Sequence, residues 1–261
     1  MLNSTIVGDH LSHPMRQAFM IWKYLVPNSF TALSMVLGFA SVVQSAAGEF
    51  ESAAWLILWG VLLDKLDGAA ARALNASSEF GAEMDSFADF VAFGLAPAAL
   101  VFFHLTGGVV APGQGVVAGA CAVYALAVAI RLARFNVSNP EGSSFMFVGV
   151  PTTLCGAILA SGWLSAASQG WTESVAPWMP VMLIVAGALM VSNVRIPKFV
   201  LRWSKPVNAF QVVNMLIAYI LVPLRMYPEY LFILSTGFLV CGTGWAFFRA
   251  DQAIEKESSL S

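Results

Sequence analysis

The chain alternates between long apolar runs and short polar breaks. Eight runs approach the roughly 20 residues that a helix needs to cross a bilayer. They lie near 25–45, 52–74, 83–105, 109–131, 146–166, 177–195, 207–225 and 229–249. The breaks between them are short and rich in Gly, Pro, Ser and Asn, the residues of turns. The pattern predicts an all-α fold: a polytopic integral membrane helix bundle of about eight transmembrane helices, one domain over 25–249 with a tail over 250–261. An N-terminal segment, 1–24, precedes it. There "MRQAFMIWKYL" repeats apolar residues at near-helical spacing between Arg16 and Lys23, which predicts an amphipathic helix lying in the membrane interface. The alternative is an extension of the first spanning helix. The polar residues 1–15 do not read as a cleavable signal.

Composition agrees with this picture. Of the 261 residues 58% are hydrophobic and 11% charged, where a soluble domain carries about 25% charged residues. The net charge of −2 points to no polyanionic partner such as nucleic acid. Cys121, Cys155 and Cys241 sit in apolar runs without metal or disulfide spacing, and His10, His13 and His104 are scattered.

The placement of basic residues sets an orientation. Arg16, Lys23, Lys65, Arg72, Arg131, Arg134, Arg195, Lys198, Arg202, Lys205, Arg249 and Lys256 all fall on one side if there are eight crossings. The opposite loops, near 46–51, 104–114 and 167–176, hold no Lys or Arg, and Arg225 is the exception. The positive-inside rule then places both termini in the cytoplasm.

Against this apolar background, "LLDKLDGAAARALNASSEFGAEMDSFADF" (62–90) carries Asp64, Asp67, Asp85 and Asp89. An acid at membrane depth costs at least about 2.5 kcal/mol. With eight crossings, the first pair ends one helix and the second begins the next, on the same side. Spacings of three and four put each pair on one helix face, so the pairs can meet across the contact between the two helices. Helix-end pairing with Lys65 and Arg72 would account for one or two of these acids but not four. Proton sharing or divalent cations would relieve their repulsion. An all-oxygen cage suits Mg²⁺ or Mn²⁺, and a pair of ions suits displacement at phosphorus. Gly68 and Gly81 would let a phosphate approach the backbone, and Arg72 offers a fork of donors to its oxygens. A proton relay in a transporter is the rival reading, and it leaves the glycines and the arginine unused.

The spacing Asp64-x₂-Asp67-Gly68-x₂-Ala71-Arg72-x₈-Gly81-x₃-Asp85-x₃-Asp89 resembles the complete signature of the CDP-alcohol phosphotransferase family. At average residue usage it would arise by chance on the order of 10⁻¹⁰ per start point. "VPNSFTALSMVLGF" (26–39), "SSEFGAEMDSFADFVAFGLAPA" (77–98), "RLARFNV" (131–137), "FVGVPTT" (147–153) and "LMVSNVRIPKF" (189–199) resemble its serine-accepting branch, the CDP-diacylglycerol–serine O-phosphatidyltransferases.

The resemblance implies an enzyme that moves the phosphatidyl group of CDP-diacylglycerol to the hydroxyl of L-serine and releases CMP. It implies metal ligation by Asp64, Asp67 and Asp85. Asp89 would be the general base and a further contact to a second ion. It also implies nucleotide binding by Gly68, Arg72 and Ser78, with Asn28 a weaker member of that pocket, and a homodimer among membrane lipids. Serine's carboxylate needs a cation, for which Arg131 and Arg134 are the candidates; snorkelling to lipid headgroups is the alternative for both. Another acceptor (glycerol 3-phosphate, an inositol phosphate or choline) is the nearest rival within the family. Gly115 and Gly119 form a G-x-x-x-G that permits close helix contact, within the bundle or between copies.

Overall fold

The structure is a computed structural model that describes residues 13–76, 78–109, 111, 113–138, 146–197 and 205–258. Residues 1–12, 198–204 and 259–261 lie outside the described residues, and with them part of the expected interfacial segment, Lys198, Arg202 and the end of the tail.

Helix α1 spans His13–Ala46 and α2 spans Phe50–Leu74. Helix α3 (Glu79–Asp89) passes through a π-helical segment, Phe90–Leu95, into α4 (Ala96–Thr106). Helix α5 spans Gly115–Ser138, strand β1 Met146–Val148 and α6 Thr152–Ser168. Helix α7 (Thr172–Val175) runs through one 3₁₀ turn, Ala176–Trp178, into α8 (Met179–Val191). Strand β2 (Arg195–Pro197), α9 (Lys205–Leu224) and α10 (Pro228–Ser258) complete the order. Among the described residues this makes eight helical rods, one for each apolar run. Four of them, Trp22–Ala46, Glu79–Thr106, Gly115–Val137 and Thr172–Val191, are long and apolar enough by themselves to cross a membrane.

Three boundaries differ from the sequence expectation. Helix α1 carries through Pro27 without a break, so 13–24 continues the first spanning helix and is not a separate element. Proline removes one amide donor there, a loss this long helix absorbs. Residues 146–148 are a strand paired antiparallel with 195–197, Phe147 opposite Ile196. Gly149, at φ +80°, turns the chain after β1, and Pro151 caps α6 in an extended conformation. A Cβ at Gly149 would lie 2.1 Å from the Met190 carbonyl oxygen, so only glycine lets this turn lie against the end of α8. The fourth rod starts at Gly115 rather than 109, after the left-handed Gly107, Gly108 and Gly113.

The core is centred on α2, where Ala53, Ala54, Trp55 and Ile57 are buried, with α1 and α6 packed along it. The π segment is the other centre. A Cβ on Gly38 would lie 2.6 Å from Ala92 Cα, so α1 crosses the segment backbone to backbone. Phe93 fills the notch left by Gly156 on α6, where a Cβ would lie 2.8 Å from its ring. The Tyr124 hydroxyl donates to the Phe93 carbonyl at 2.7 Å, satisfying an acceptor in the altered ladder. The outer faces expose Phe39, Val116, Val181 and Phe210. In a chain this apolar, such a surface is the lipid-facing one.

Candidate active site

Helix α2 ends at Asn75, which takes the left-handed conformation of a C-cap, and Ser78 begins α3 four positions after Leu74. So short a connection turns the two helices back on each other. It brings Asp64, Asp67 and Asp85 together, with one carboxylate oxygen of each within 4.8 Å of the others. As the sequence expects, α2 packs on the rod that α3 begins, chiefly through its π segment and α4, and α1 lies against both α2 and α3.

Asp67 is buried, and its Oδ2 accepts a hydrogen bond from Thr31 Oγ1 on α1 at 2.8 Å. The Pro27 carbonyl is also within reach of that hydroxyl, at 3.2 Å. The single hydroxyl proton favours the shorter contact to the charged acceptor. Asp64 pairs with Lys65 at 3.2 Å, but the lysine side chain is 48% exposed, so solvent weakens the pair to at most about 1 kcal/mol. Among the described residues no other cation lies within ion-pair distance of the three carboxylates. Three converging oxygens with one screened counter-charge are what a hard divalent cation fits.

Asp89 stands apart from the trio. It is buried, and its Oδ2 accepts from Thr152 Oγ1 at 2.8 Å. Thr152, fully buried at the start of α6, in turn accepts from Arg131 Nη1 at 3.0 Å. Arg131 is itself buried, and its guanidinium lies 5.5 Å from the Phe135 ring centre. One acid, one hydroxyl and one guanidinium from α3, α6 and α5 thus form a single chain.

The residues expected to hold a nucleotide fall in two places beside the carboxylates. A Cβ on Gly68 would touch Arg72 Nη1 at 3.3 Å, so the guanidinium folds back over the glycine. A Cβ on Gly81 would lie 3.1 Å from Ser78 Oγ and 3.2 Å from Asn28 Oδ1, which puts these three residues in one cluster where α1 meets the start of α3. Ser78 caps α3 by accepting from the Gly81 amide at 3.0 Å, and its own proton stays available.

Arg134 has a different setting. Its Nη1 donates to the Val191 carbonyl at 2.9 Å, and its Nη2 to those of Val148 and Ser192 at 3.2 and 3.1 Å. It ties β1 to the end of α8, where helix carbonyls lack partners. Neither free snorkelling nor an open anion site describes it.

Sequence reasoning passed over three residues. Thr31 and Thr152 lie inside stretches quoted for their resemblance, but a threonine in an apolar run reads as packing. Tyr219 on α9 donates to the Leu62 carbonyl at 2.8 Å, two residues before Asp64, and no motif marked it.

This geometry defines a polytopic membrane protein with a carboxylate cluster suited to a divalent cation set in its helices and a separately held fourth acid. The chain belongs to the CDP-alcohol phosphatidyltransferase family, whose model matches residues 24–191, and it is an enzyme of the transferase class. It is 37% identical over 177 residues to the CDP-diacylglycerol–serine O-phosphatidyltransferase of Helicobacter pylori, a match covering 67% of this chain and 73% of that protein. Proteins of the same name from Bacillus subtilis and Methanocaldococcus jannaschii are 31% and 30% identical. Those matches cover 67% and 65% of this chain, and 90% and 72% of the relatives. The family depends on a divalent metal. Membership in it removes the transporter reading.

Proposed function

We propose that this chain makes phosphatidylserine from CDP-diacylglycerol and L-serine. The observation that carries the reading is the division of labour among the acids: three converge, and the fourth is held separately by Thr152. The serine oxygen forms a bond to the phosphorus that carries the diacylglycerol, the bond from that phosphorus to CMP breaks, and CMP leaves. Asp89 takes the proton of the serine hydroxyl, which is a poor nucleophile until a base removes it.

Asp64, Asp67 and Asp85 would hold Mg²⁺ or Mn²⁺, with Asp89 as a further contact to a second ion, and the metal would supply neutralisation of charge on the phosphates and on the leaving group. Arg72 and Ser78 donate to the nucleotide phosphates, Gly68 and Gly81 keep Cβ atoms out of their way, and Asn28 closes the pocket from α1. Of the two arginines, Arg131 suits serine's carboxylate, since it is buried beside Asp89 and has donors beyond the one given to Thr152. The carbonyls that Arg134 serves argue against it in that role. A phosphate-bearing acceptor would want more positive charge than this beside Asp89.

The basic asymmetry supports eight crossings in the cytoplasmic membrane, with the site, the N-terminal residues before the first crossing and the tail on the cytoplasmic side. A site at that interface admits the diacyl chains from lipid and serine from water. Gly115 and Gly119 meet nothing within 4 Å where a Cβ would be, which leaves them open for a homodimer contact.

The test is direct. Purified protein is given CDP-diacylglycerol, Mn²⁺ or Mg²⁺, and a panel of alcohols, and the lipid product is identified. Phosphatidylserine with stoichiometric CMP is expected. CMP release with glycerol 3-phosphate, an inositol phosphate or choline, and not with serine, overturns the acceptor.

A further inference from the structure

The chain from Arg131 through Thr152 to Asp89 has only one possible polarity. A guanidinium donates and never accepts, so Thr152 Oγ1 must be the acceptor in its 3.0 Å contact with Arg131 Nη1. The hydroxyl's single proton is then left for Asp89 Oδ2, 2.8 Å away. Thr152 is completely buried, and Asp89 and Arg131 are 8% and 7% exposed, so water does not compete for these bonds. The backbone fixes the hydroxyl as well. Pro151 precedes it with φ −60° and ψ 140°, and a β-branched side chain at the first turn of α6 has few rotamers. Among the described residues, Thr152 is the donor to Asp89, and it engages one carboxylate oxygen.

We propose that Thr152 is a positioning residue for Asp89: oriented by Arg131, it pins Oδ2 and leaves Oδ1 aimed as the proton acceptor. The proposal rests on the reading of Asp89 as the general base. It distinguishes Asp89 from the converging trio, because the hydroxyl that holds Asp89 lies on α6, whereas the one that holds Asp67 lies on α1. A carboxylate free to rotate would spend most of its time misaimed, and misplacement of this kind can cost about 10²-fold in rate.

The experiment compares Thr152→Val, Thr152→Ser, Asp89→Asn and the double variant D89N/T152V in the full-length protein. It measures kcat, KM for both substrates, and Mn²⁺ affinity by electron paramagnetic resonance. T152V is expected to lower kcat about 10- to 100-fold, with KM for CDP-diacylglycerol and the Mn²⁺ Kd within about twofold of wild type. T152S should restore most of the rate, and D89N/T152V should be no slower than D89N. If T152V does not fold, Thr152→Ala against T152S gives the same comparison. Full-speed turnover by the variant lacking the hydroxyl overturns the inference. So does a loss in the D89N background as large as that in wild type, or a Mn²⁺ affinity that falls in step with kcat. Near-normal turnover by D89N overturns the base reading and this inference with it, whereas a slow D89N beside a fast T152V overturns this inference alone.

Discussion

Thr31 of α1 donates to the buried carboxylate of Asp67 on α2 across 2.8 Å, although the two residues are 36 apart in sequence. The bond fixes the rotation of one member of the converging trio. Hydrogen-bonded partners of metal ligands of this kind are worth about 10- to 100-fold in affinity. Thr31→Val should therefore raise the Mn²⁺ concentration needed for half-maximal activity roughly tenfold, with the rate recovering at saturating metal. A metal titration of the two proteins checks this, and identical curves would remove Thr31 from the site.

The trio itself should be indispensable. Asp64→Asn, Asp67→Asn and Asp85→Asn each remove a charge from a set whose oxygens lie within 4.8 Å of one another. Each should lower turnover by at least about 10²-fold with the melting temperature little changed. Excess chelator should abolish wild-type activity, and re-added Mg²⁺ or Mn²⁺ should restore it. Full activity in chelator would sink the metal assignment.

Asp89→Asn should separate chemistry from binding. Loss of a general base costs typically about 10²- to 10⁴-fold in kcat, while CDP-diacylglycerol should bind as before. Arg72→Ala should do the reverse and raise KM for the lipid nucleotide, since a charged donor to phosphate is lost. Steady-state kinetics on both variants distinguishes the two roles.

A pair of glycine substitutions tests the packing. Gly38→Ala places a methyl 2.6 Å from Ala92 Cα, whereas at Gly119 a methyl meets nothing within 4 Å. The first should cost about 1–3 kcal/mol or more by overpacking. In the monomer fraction the second should be neutral or stabilising by up to about 1 kcal/mol, from helix propensity alone. Thermal melts in detergent with intact dimer and monomer fractions compared would show the contrast. A smaller dimer fraction for G119A would place that glycine in the contact between copies, and an unchanged one would remove it from that contact.

Cysteine labelling reports the orientation. Single cysteines at Gly48, Gly107 and Gly170, in a background without Cys121, Cys155 and Cys241, should react from the outer face. Reaction only from the cytoplasmic face would refute the eight-crossing topology.

Much of this was legible in the sequence because intramembrane charge is costly and therefore conspicuous. Asp64, Asp67 and Asp85 stood out, and the structure brings them together. The hydroxyls that serve the acids did not stand out. Thr152 acts on Asp89 from 63 residues away, and periodicity carries no information about which apolar-run threonine faces which acid. Arg131 and Arg134 are three apart and looked equivalent. Their fates diverge because one meets a hydroxyl inside the bundle and the other meets helix-end carbonyls. The β1–β2 pair was hidden by its length: three residues per strand are too few to show alternation within an apolar run.

The π segment between Asp89 and Ala96 acts as a phase shifter within one continuous rod. A π turn holds one residue more than an α turn, so the α3 and α4 halves are offset from the register an unbroken α-helix would impose. Each residue of α-helix advances about 100° around the axis. Were the segment to wind as plain α with every residue kept, its two halves would turn against each other by roughly that angle. Either the acids would swing away from α2 and α6, or Phe93 would leave the Gly156 notch. Deleting a single residue within 90–95 lets the rod wind as plain α with its two halves in their present phase, so it should be less damaging than the same deletion in α3 or α4, where nothing absorbs the shift.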